Sequence, residues 1–262
     1  MKSIFYFRSN KNKFCIFSNS VILSFLFIFF GSATTNILLA STEPQISVEN
    51  VNSLALRSDG TVWAWGRNKS GQLGDGTNRN KNIPVQVSTL SDITTIAVGR
   101  NHSLALKSDG TVLAWGNNIV GQLGDGSNQN SNEPVEVTGL SNVISIAAGV
   151  GKSFALKSDG TLWAWGFNGN GQLGDGTNTN RSAPVQVSGL NDIIDIAIGR
   201  HHSLALKSDG TIWAWGKNGS GQLGDGTNTN SNVPVQVKNL NLNVPPTPTV
   251  TVTPTPIPIP TP

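Results

Sequence analysis

The chain contains few of the side chains on which disulfide-rich domains, metal centres and most enzymes depend. Its 262 residues include one cysteine, one tyrosine, one methionine and three histidines, and only 13% of them are charged. A single cysteine excludes an internal disulfide framework. Neither metal-ligand spacing nor a grouped set of catalytic residue types occurs in the sequence. The composition therefore predicts a protein without cofactor, metal or catalytic residues, and not an enzyme.

The first 33 residues have the order of a secretory signal. Basic residues come first, the apolar run VILSFLFIFF follows at 21–30, and Gly31, Ser32 and Ala33 supply the small residues of a cleavage site. The only cysteine, Cys15, belongs to this segment. The alternative is an uncleaved anchor, because the apolar stretch at 37–40 extends the run to about the length of a membrane span. The prediction is a secreted or cell-surface protein with 1–33 as signal peptide.

Removal of this signal changes the charge of the chain. It takes away four of the 18 Lys and Arg and none of the 15 Asp and Glu, so the net charge falls from +3 to about −1. The remaining basic residues form no stripe along the sequence, as a nucleic-acid-binding surface would require. The sequence predicts no nucleic-acid partner and no membrane insertion after signal removal.

The C-terminal segment 241–262 is rich in proline and threonine. Residues 245–262 contain eight of the 13 prolines and no charged side chain. Such a segment cannot form a packed core, and its composition is typical of an extended polyproline II spacer. We predict a disordered tail at 241–262 and a short linker at 34–45 on the other side of the central region.

The central region, 46–240, consists of four repeats with a period of 50 residues. SDGTVWAWG at 58–66 returns with small changes at 108, 158 and 208, and GQLGDG at 71–76 returns at 121, 171 and 221. A fixed period of this length indicates a repeat architecture, in which each unit buries its apolar faces only against its neighbours.

Each repeat has the pattern of four short antiparallel strands. In the third copy, NVISIAAG at 142–149 is followed by SFALKSDG at 153–160 and TLWAWG at 161–166. The last segment is short and flanked by glycine, and its alternation sends apolar side chains to both faces of a strand. Asp-Gly pairs such as Asp59 and Gly60 indicate a tight hairpin between the second and third strands. The fourth strand is predicted to begin at a proline such as Pro84, which suits a sheet edge.

Small sheets with two apolar faces stack face to face around an axis as propeller blades. The sequence thus predicts an all-β fold of four tandem four-stranded antiparallel blades of the β-propeller type, in an open arc or an incomplete propeller. An open arc leaves an apolar blade face at each end, and this predicts possible self-association through the end blades.

The repeat resembles that of the regulator of chromosome condensation family, in a bacterial secreted form, over 46–240. The family pattern is G, two variable residues, HSLAL, DG, a WG pair and GQLG. In the second repeat it is matched by Gly99, His102, Ser103, Leu104, Ala105, Leu106, Asp109, Gly110, Trp115, Gly116 and 121–124.

The resemblance implies a propeller fold, and members of this family usually close their ring with seven blades. It also implies two alternative activities, since family members include a guanine-nucleotide exchange factor for a nuclear small GTPase and a secreted inhibitor of β-lactamases. The function we expect is that of an exported, non-enzymatic module that binds a protein or a cell-surface glycan.

The positions that differ between copies lie in two loops of each repeat, one after the first strand and one after the WG pair. Variable loops on a rigid scaffold are the usual place of binding residues, although drift at exposed turns would give the same pattern. The candidate partner-binding residues are Arg67, Lys69, Arg100, His102, Ile119, Val120, Lys152, Phe167, Arg200, His201, His202 and Lys217.

Three other patterns favour structural roles. Adjacent side chains of a strand point to opposite faces, so His102 and Ser103 are not expected to form a base–nucleophile pair. The recurring tryptophans of the WG pairs are predicted to be core residues. Asp75, Asn78 and Asn80 offer oxygen atoms that could hold a calcium ion, but they lack the several carboxylates typical of such a loop.

Overall fold

The structure is a computed structural model that describes residues 42–243 and, before them, two short strands. Those strands, β1 (Tyr6–Ser9) and β2 (Lys13–Ile16), pair antiparallel within an N-terminal unit, Met1–Leu39. The remaining positions of the predicted signal and the tail from 244 onward lie outside the described residues. Within the described part of the chain, no helix has the length and apolar character needed to cross a bilayer.

The four repeats form four separate antiparallel sheets, which confirms the predicted blades. In each sheet the strands follow one another in chain order. The first blade contains β3 (Gln45–Glu49), β4 (Asn52–Leu56), β5 (Val62–Gly66) and β6 (Lys81–Gln86). The second contains β7 (Ile93–Val98), β8 (His102–Lys107), β9 (Val112–Gly116) and β10 (Ser131–Glu136). The third contains β11 (Val143–Ala148), β12 (Lys152–Lys157), β13 (Leu162–Gly166) and β14 (Arg181–Gln186). The fourth contains β15 (Ile193–Ile198), β16 (His202–Lys207), β17 (Thr211–Gly216) and β18 (Ser231–Asn241).

The predicted hairpin joins the second and third strands of every blade. In the first blade, Gly60 has a φ of 79°, a left-handed conformation that glycine adopts without steric cost. The Asp59 carboxylate accepts hydrogen bonds from the Thr61 backbone N–H at 3.0 Å and from the Thr61 hydroxyl at 2.6 Å. The same aspartate–threonine contact closes the hairpins at Asp109, Asp159 and Asp209.

The fourth strand begins earlier than the sequence predicted. β6 starts at Lys81, which pairs with Gly66, and the ladder is irregular between that pair and the pair of Val85 with Ala64. Pro84 therefore lies inside the strand, at a bulge where its missing N–H leaves no ladder bond unmade. β6 is also an edge strand, as predicted.

Consecutive blades pack face to face through the two apolar sides of each strand. Leu54, Leu56 and Val62 of the first blade share a buried cluster with Ile96 and Trp115 of the second. Equivalent clusters join the second blade to the third and the third to the fourth. Successive side chains thus belong to different interfaces, which is why both faces of the strands are apolar in sequence.

In the first three blades, a backbone carbonyl of the GQLG turn accepts hydrogen bonds from two polar side chains of the following blade. The carbonyl oxygen of Gln72 accepts hydrogen bonds from the Trp115 indole Nε1 at 3.0 Å and from the Ser103 hydroxyl at 2.9 Å. A Cβ placed on Gly74 would lie 2.8 Å from Trp115 Nε1, so only glycine leaves room for the indole. Gln122 and Gln172 receive the next two blades in the same way.

The two ends of the arc lack this cover. Trp115, Trp165 and Trp215 are fully buried, whereas Trp65 of the first blade is only half-buried, because no blade among the described residues packs on it. The prediction that all four tryptophans are core residues is therefore wrong for Trp65. The blades form an open arc without a closed sheet.

Alanine substitution should separate the buried tryptophans from the one at the open end. Trp165→Ala removes a fully buried indole and its bond to Gln122, and should lower the free energy of unfolding by about 3–5 kcal/mol. Trp65→Ala should lower the free energy of unfolding by less than half of that amount. Urea unfolding of both variants in dilute solution measures the difference, and equal losses would contradict an open end at Trp65.

Candidate functional site

The two variable loops of each repeat lie side by side. In the first blade the backbone N–H of Arg67 donates to the carbonyl of Val51 at 2.9 Å, and in the fourth that of Lys217 donates to His201 at 2.9 Å. The same bond joins the loops of the middle blades. The two loops therefore form one surface, the loop rim, which comprises residues 50–52, 67–70, 100–102, 117–120, 150–152, 167–170, 200–202 and 217–220.

A buried asparagine holds each second loop in shape. Asn68 Oδ1 accepts the backbone N–H of Leu73 at 2.9 Å, and its Nδ2 donates to the Asp75 carboxylate at 2.9 Å. Asn118, Asn168 and Asn218 repeat these contacts. Sequence reasoning missed this residue, although its strict recurrence every 50 positions was a usable signal.

The oxygen atoms considered for calcium are used within the loop. Asp75 accepts hydrogen bonds from Asn68, from the Thr77 hydroxyl at 2.8 Å and from the Lys81 ammonium at 3.1 Å. Asn80 Oδ1 accepts the backbone N–H of Asn68 at 2.8 Å. These contacts give the loop its shape, and the described residues contain no group of three or more metal-ligating side chains.

His102, a predicted partner-binding residue, is completely buried. Its Nε2 lies 2.9 Å from the hydroxyl oxygen of Ser153 in the third blade, and burial lowers its pKa from 6.5 to about 4. The Ser153 hydroxyl already donates to the carbonyl of Gln122 at 2.8 Å, so the neutral imidazole donates through Nε2 and cannot act as a base toward this serine. The predicted surface role of His102 is wrong, because strand β8 turns the ring into the blade interface.

The expectation for the neighbouring serine is confirmed. Ser103 points away from His102, and its hydroxyl donates to Gln72 of the preceding blade. The two residues thus connect one strand to both adjacent blades. With both side chains buried, neither is available to a substrate.

Lys152 occupies the same repeat position in the third blade and is also completely buried. Its ammonium donates to the carbonyl oxygens of Gly199 at 2.8 Å, Arg200 at 3.3 Å and His202 at 3.5 Å. Burial lowers the pKa of Lys152 from 10.5 to about 7. The predicted partner-binding role is wrong here as well, because the side chain supports the first loop of the fourth blade from beneath.

The other predicted residues reach the surface of the loop rim to different extents. The exposed side chains are those of Arg67, Lys69, Arg100, Ile119, Arg200 and Lys217. Half-buried ones are those of Val120, Phe167, His201 and His202. Their role in partner binding stays a prediction.

An apolar spot lies where the second and third blades meet. A Cβ on Gly151 would be 3.5 Å from both Phe167 Cβ and Val120 Cγ2, which places these two side chains around one glycine. Ile119, next to Val120, has 69% of its surface exposed. Loops from two repeats therefore build the spot together, a juxtaposition that sequence order does not show.

Several positive charges act on His201 in the fourth blade. Burial first, and then the charges of Arg200, Lys217, Lys152 and His202, lower the pKa of His201. The loop-rim positions hold six Lys and Arg and no Asp or Glu. The hairpin ends of the blades differ, because there Lys107 pairs with Asp109 at 3.4 Å and Lys157 with Asp159 at 3.7 Å.

A shallow polar pocket marks the rim between the first and second blades. Lys69, Ser70, Asn78, Asn130 and Asn132 line it. Its walls supply amide, hydroxyl and ammonium groups, which can form hydrogen bonds with a polar ligand but contain no nucleophile–base pair.

The buried lysine should make stability depend on pH. In the unfolded chain Lys152 keeps its proton to about pH 10.4, whereas in the folded chain it releases it near pH 7. Between these values the unfolded state binds one more proton, so the free energy of unfolding should rise with pH, by at most about 1.4 kcal/mol per pH unit.

Lys152→Met should remove this rise, because methionine fills the space without a titrating group. Urea unfolding at pH 7 and pH 10 measures it. Lys157→Met, on the same strand but partly exposed, is the matched control and should keep the wild-type slope. Parallel pH profiles for the wild type and Lys152→Met would contradict the assignment.

Solved propeller structures resemble this chain. Prp20p from Saccharomyces cerevisiae, studied with its binding properties to Gsp1p and histones, is 27% identical with a TM-score of 0.65, over 74% of this chain and 50% of that one. Yeast RCC1 (Prp20) bound to Kap60 is 27% identical with a TM-score of 0.67, over 74% of this chain and 48% of that one. Human WBSCR16 is 26% identical with a TM-score of 0.66, over 75% of this chain and 53% of that one. The chain spans about half the length of these proteins.

The family comparison covers most of the chain. The model of the RCC1-like domain matches residues 35–251, a range that includes all four blades. The glycine turns, interblade tryptophans and loop asparagines described above lie within it. The chain therefore belongs to the family of the RCC1-like domain.

Proposed function

We propose that the chain is an exported, non-catalytic module that binds a protein partner through the loop rim. The observation that carries this proposal is the charge difference between the two ends of the blades. Arg67, Lys69, Arg100, Arg200 and Lys217 are exposed and form no ion pair within the part of the chain that the structure describes. Unpaired cations beside exposed Ile119 suit a partner surface with acidic groups around an apolar contact.

The relatives support a protein as the partner class. Prp20p is described with binding to Gsp1p and histones, and the yeast RCC1 structure is a complex with Kap60. An acidic cell-surface glycan would meet the same cations, and the polar pocket beside Lys69 could receive it. We favour a protein, because Ile119, Val120 and Phe167 offer apolar contacts that a charged sugar would not use.

The proposed location rests on the sequence of residues 1–33, with basic residues, an apolar run and small residues in signal order. The non-catalytic character is supported by the burial of His102 and Ser153, a histidine–serine pair that forms a hydrogen bond in the described residues. No described residue favours the exchange-factor or inhibitor activities over simple binding.

Charge reversal on the loop rim should weaken partner capture. The immobilised chain is incubated with a surface-protein extract, and bound proteins are quantified by mass spectrometry. Proteins that bind through this rim should be retained on the order of tenfold less by Arg200→Glu/Lys217→Glu, because rim charges act on encounter and complementarity. Ile119→Asp should reduce the same proteins.

The matched control reverses the same number of charges at the hairpin ends. Lys107→Glu/Lys207→Glu should leave capture unchanged, and all variants should keep the wild-type unfolding midpoint. Equal loss in rim and hairpin variants, or no protein that depends on the rim, would refute binding at this surface.

Export predicts removal of the signal. The chain expressed with a C-terminal tag should be found outside the cytoplasm and should begin at residue 34, as determined by N-terminal sequencing. Retention of the full chain in the cytoplasm would contradict the location without affecting the loop-rim experiment.

A further inference from the structure

We propose that two copies of this chain associate head to tail, so that the outer face of the fourth blade packs on the outer face of the first blade of a second copy. This contact would repeat the one between consecutive blades. The N-terminal face is defined by Ile46, Val48, Ser53, Ala55 and Trp65. The C-terminal face is defined by the half-buried side chains of Leu204, Leu206, Ile212 and Val237. None of these face residues belongs to the loop rim, and the inference does not rest on the proposed function.

The apolar residues of these faces are the ones that inner interfaces bury. Ile46 is 75% exposed, whereas its repeat equivalents Ile96, Ile146 and Ile196 are 6%, 7% and 9% exposed. On the other face, Leu204 and Leu206 are half-buried, and the matching Leu104 and Leu106 are buried against the third blade. Each end therefore carries most of one half of the same interface.

The polar groups of the two faces also match. Within the chain, the tryptophan and serine of each following blade donate to the carbonyl of Gln72, Gln122 or Gln172. Gln222 is the fourth member of this series and receives no tryptophan or serine within the described residues. Trp65 and Ser53 are the fourth donor pair. A second copy brings these donors to that acceptor in the register already used three times.

Two further contacts fix the register. His102 Nε2 reaches Ser153 at 2.9 Å, so His202 would reach Ser53 of a second copy. The backbone N–H of Gly76 donates to the carbonyl of Asn132 at 3.0 Å, and that of Gly176 donates to Asn232 at 2.9 Å. In the same register, the backbone N–H of Gly226 would donate to the backbone carbonyl of Asn82 of the second copy. No insertion or deletion is needed in either face.

The proposed contact differs from the inner interfaces at one place, next to Gly210, where the chain's own C-terminal residues occupy the position that the following blade takes elsewhere. Asn241 and Asn243 lie over Gly210, the place that Asp192 and Ile193 take over Gly160. The second copy therefore engages from Gln45 onward. Glu43, which stands where the other repeats have Ile93, Val143 and Ile193, lies outside the contact, and an acidic residue is tolerated there.

The contact joins two different faces, so it is heterologous. A variant that lacks one face keeps the other, and two complementary variants can still pair once. Two like faces in contact would give a different result, because one of the two single variants would remain associated. A mixture of the two single variants therefore distinguishes a contact between different faces from a contact between like faces.

The experiment measures the molar mass of the purified full-length chain by size-exclusion chromatography with light scattering, over a series of concentrations. The wild type should reach at least twice the chain mass of 27.6 kDa. Ile46→Lys and Leu206→Lys should each be monomeric, because a charge in an apolar contact disfavours association. An equimolar mixture should return to about twice the chain mass through the two intact faces.

Ile144→Lys is the matched control, since Ile144 is 53% exposed on an inner blade and belongs to neither face. It should associate as the wild type does. Circular dichroism and unfolding midpoints show whether each variant is folded, and Trp65→Glu replaces Ile46→Lys if the latter is not. A monomeric wild type, association that neither end variant reduces, or a monomeric mixture would overturn the proposal. Rim-dependent partner capture should persist in Ile46→Lys.

Discussion

The stacking of the blades depends on the glutamine carbonyl oxygen in the first three GQLG turns. Gln72, Gln122 and Gln172 each accept an indole N–H and a serine hydroxyl from the following blade. These two bonds place a large aromatic side chain against a turn in which a glycine is required, because a Cβ at that position would clash with the indole. The apolar clusters provide most of the buried surface, but they are not directional. The bonds to the carbonyl fix the distance and angle between one blade and the next.

Much of this arrangement follows from sequence because the period of 50 residues repeats both the strand pattern and the turn glycines. Blade number, strand order and the hairpin at Asp59 were predictable, since each depends on residues close together in the chain. The start of β6 was not, because Lys81 pairs with Gly66 across a bulge that contains Pro84, and the local sequence pattern does not show this pairing. The half-burial of Trp65 was not predictable either, because burial at this position depends on a preceding blade, which the described residues do not include, and not on the local sequence pattern.

The candidate site shows the same division. Sequence variation identified both loops of the rim, and backbone bonds between them show that they form one surface. It also selected His102 and Lys152, because variation at a position does not distinguish an exposed loop from a buried interface where each blade meets a different neighbour. The meeting of Val120 with Phe167 depends on the stacking of two repeats, which are 50 residues apart in sequence.

The variable position at the start of the second strand bears on how near-identical repeats keep their order. It holds Asn52, His102, Lys152 and His202, and each of the middle two enters the next blade with its own partners. Repeats of similar sequence are prone to pair with the wrong neighbour during folding. An ammonium that needs three carbonyls cannot replace an imidazole that needs one hydroxyl without leaving buried groups unpaired. Lys152 therefore distinguishes the third blade from the second, and it disfavours a misfolded arrangement in which these two blades exchange places.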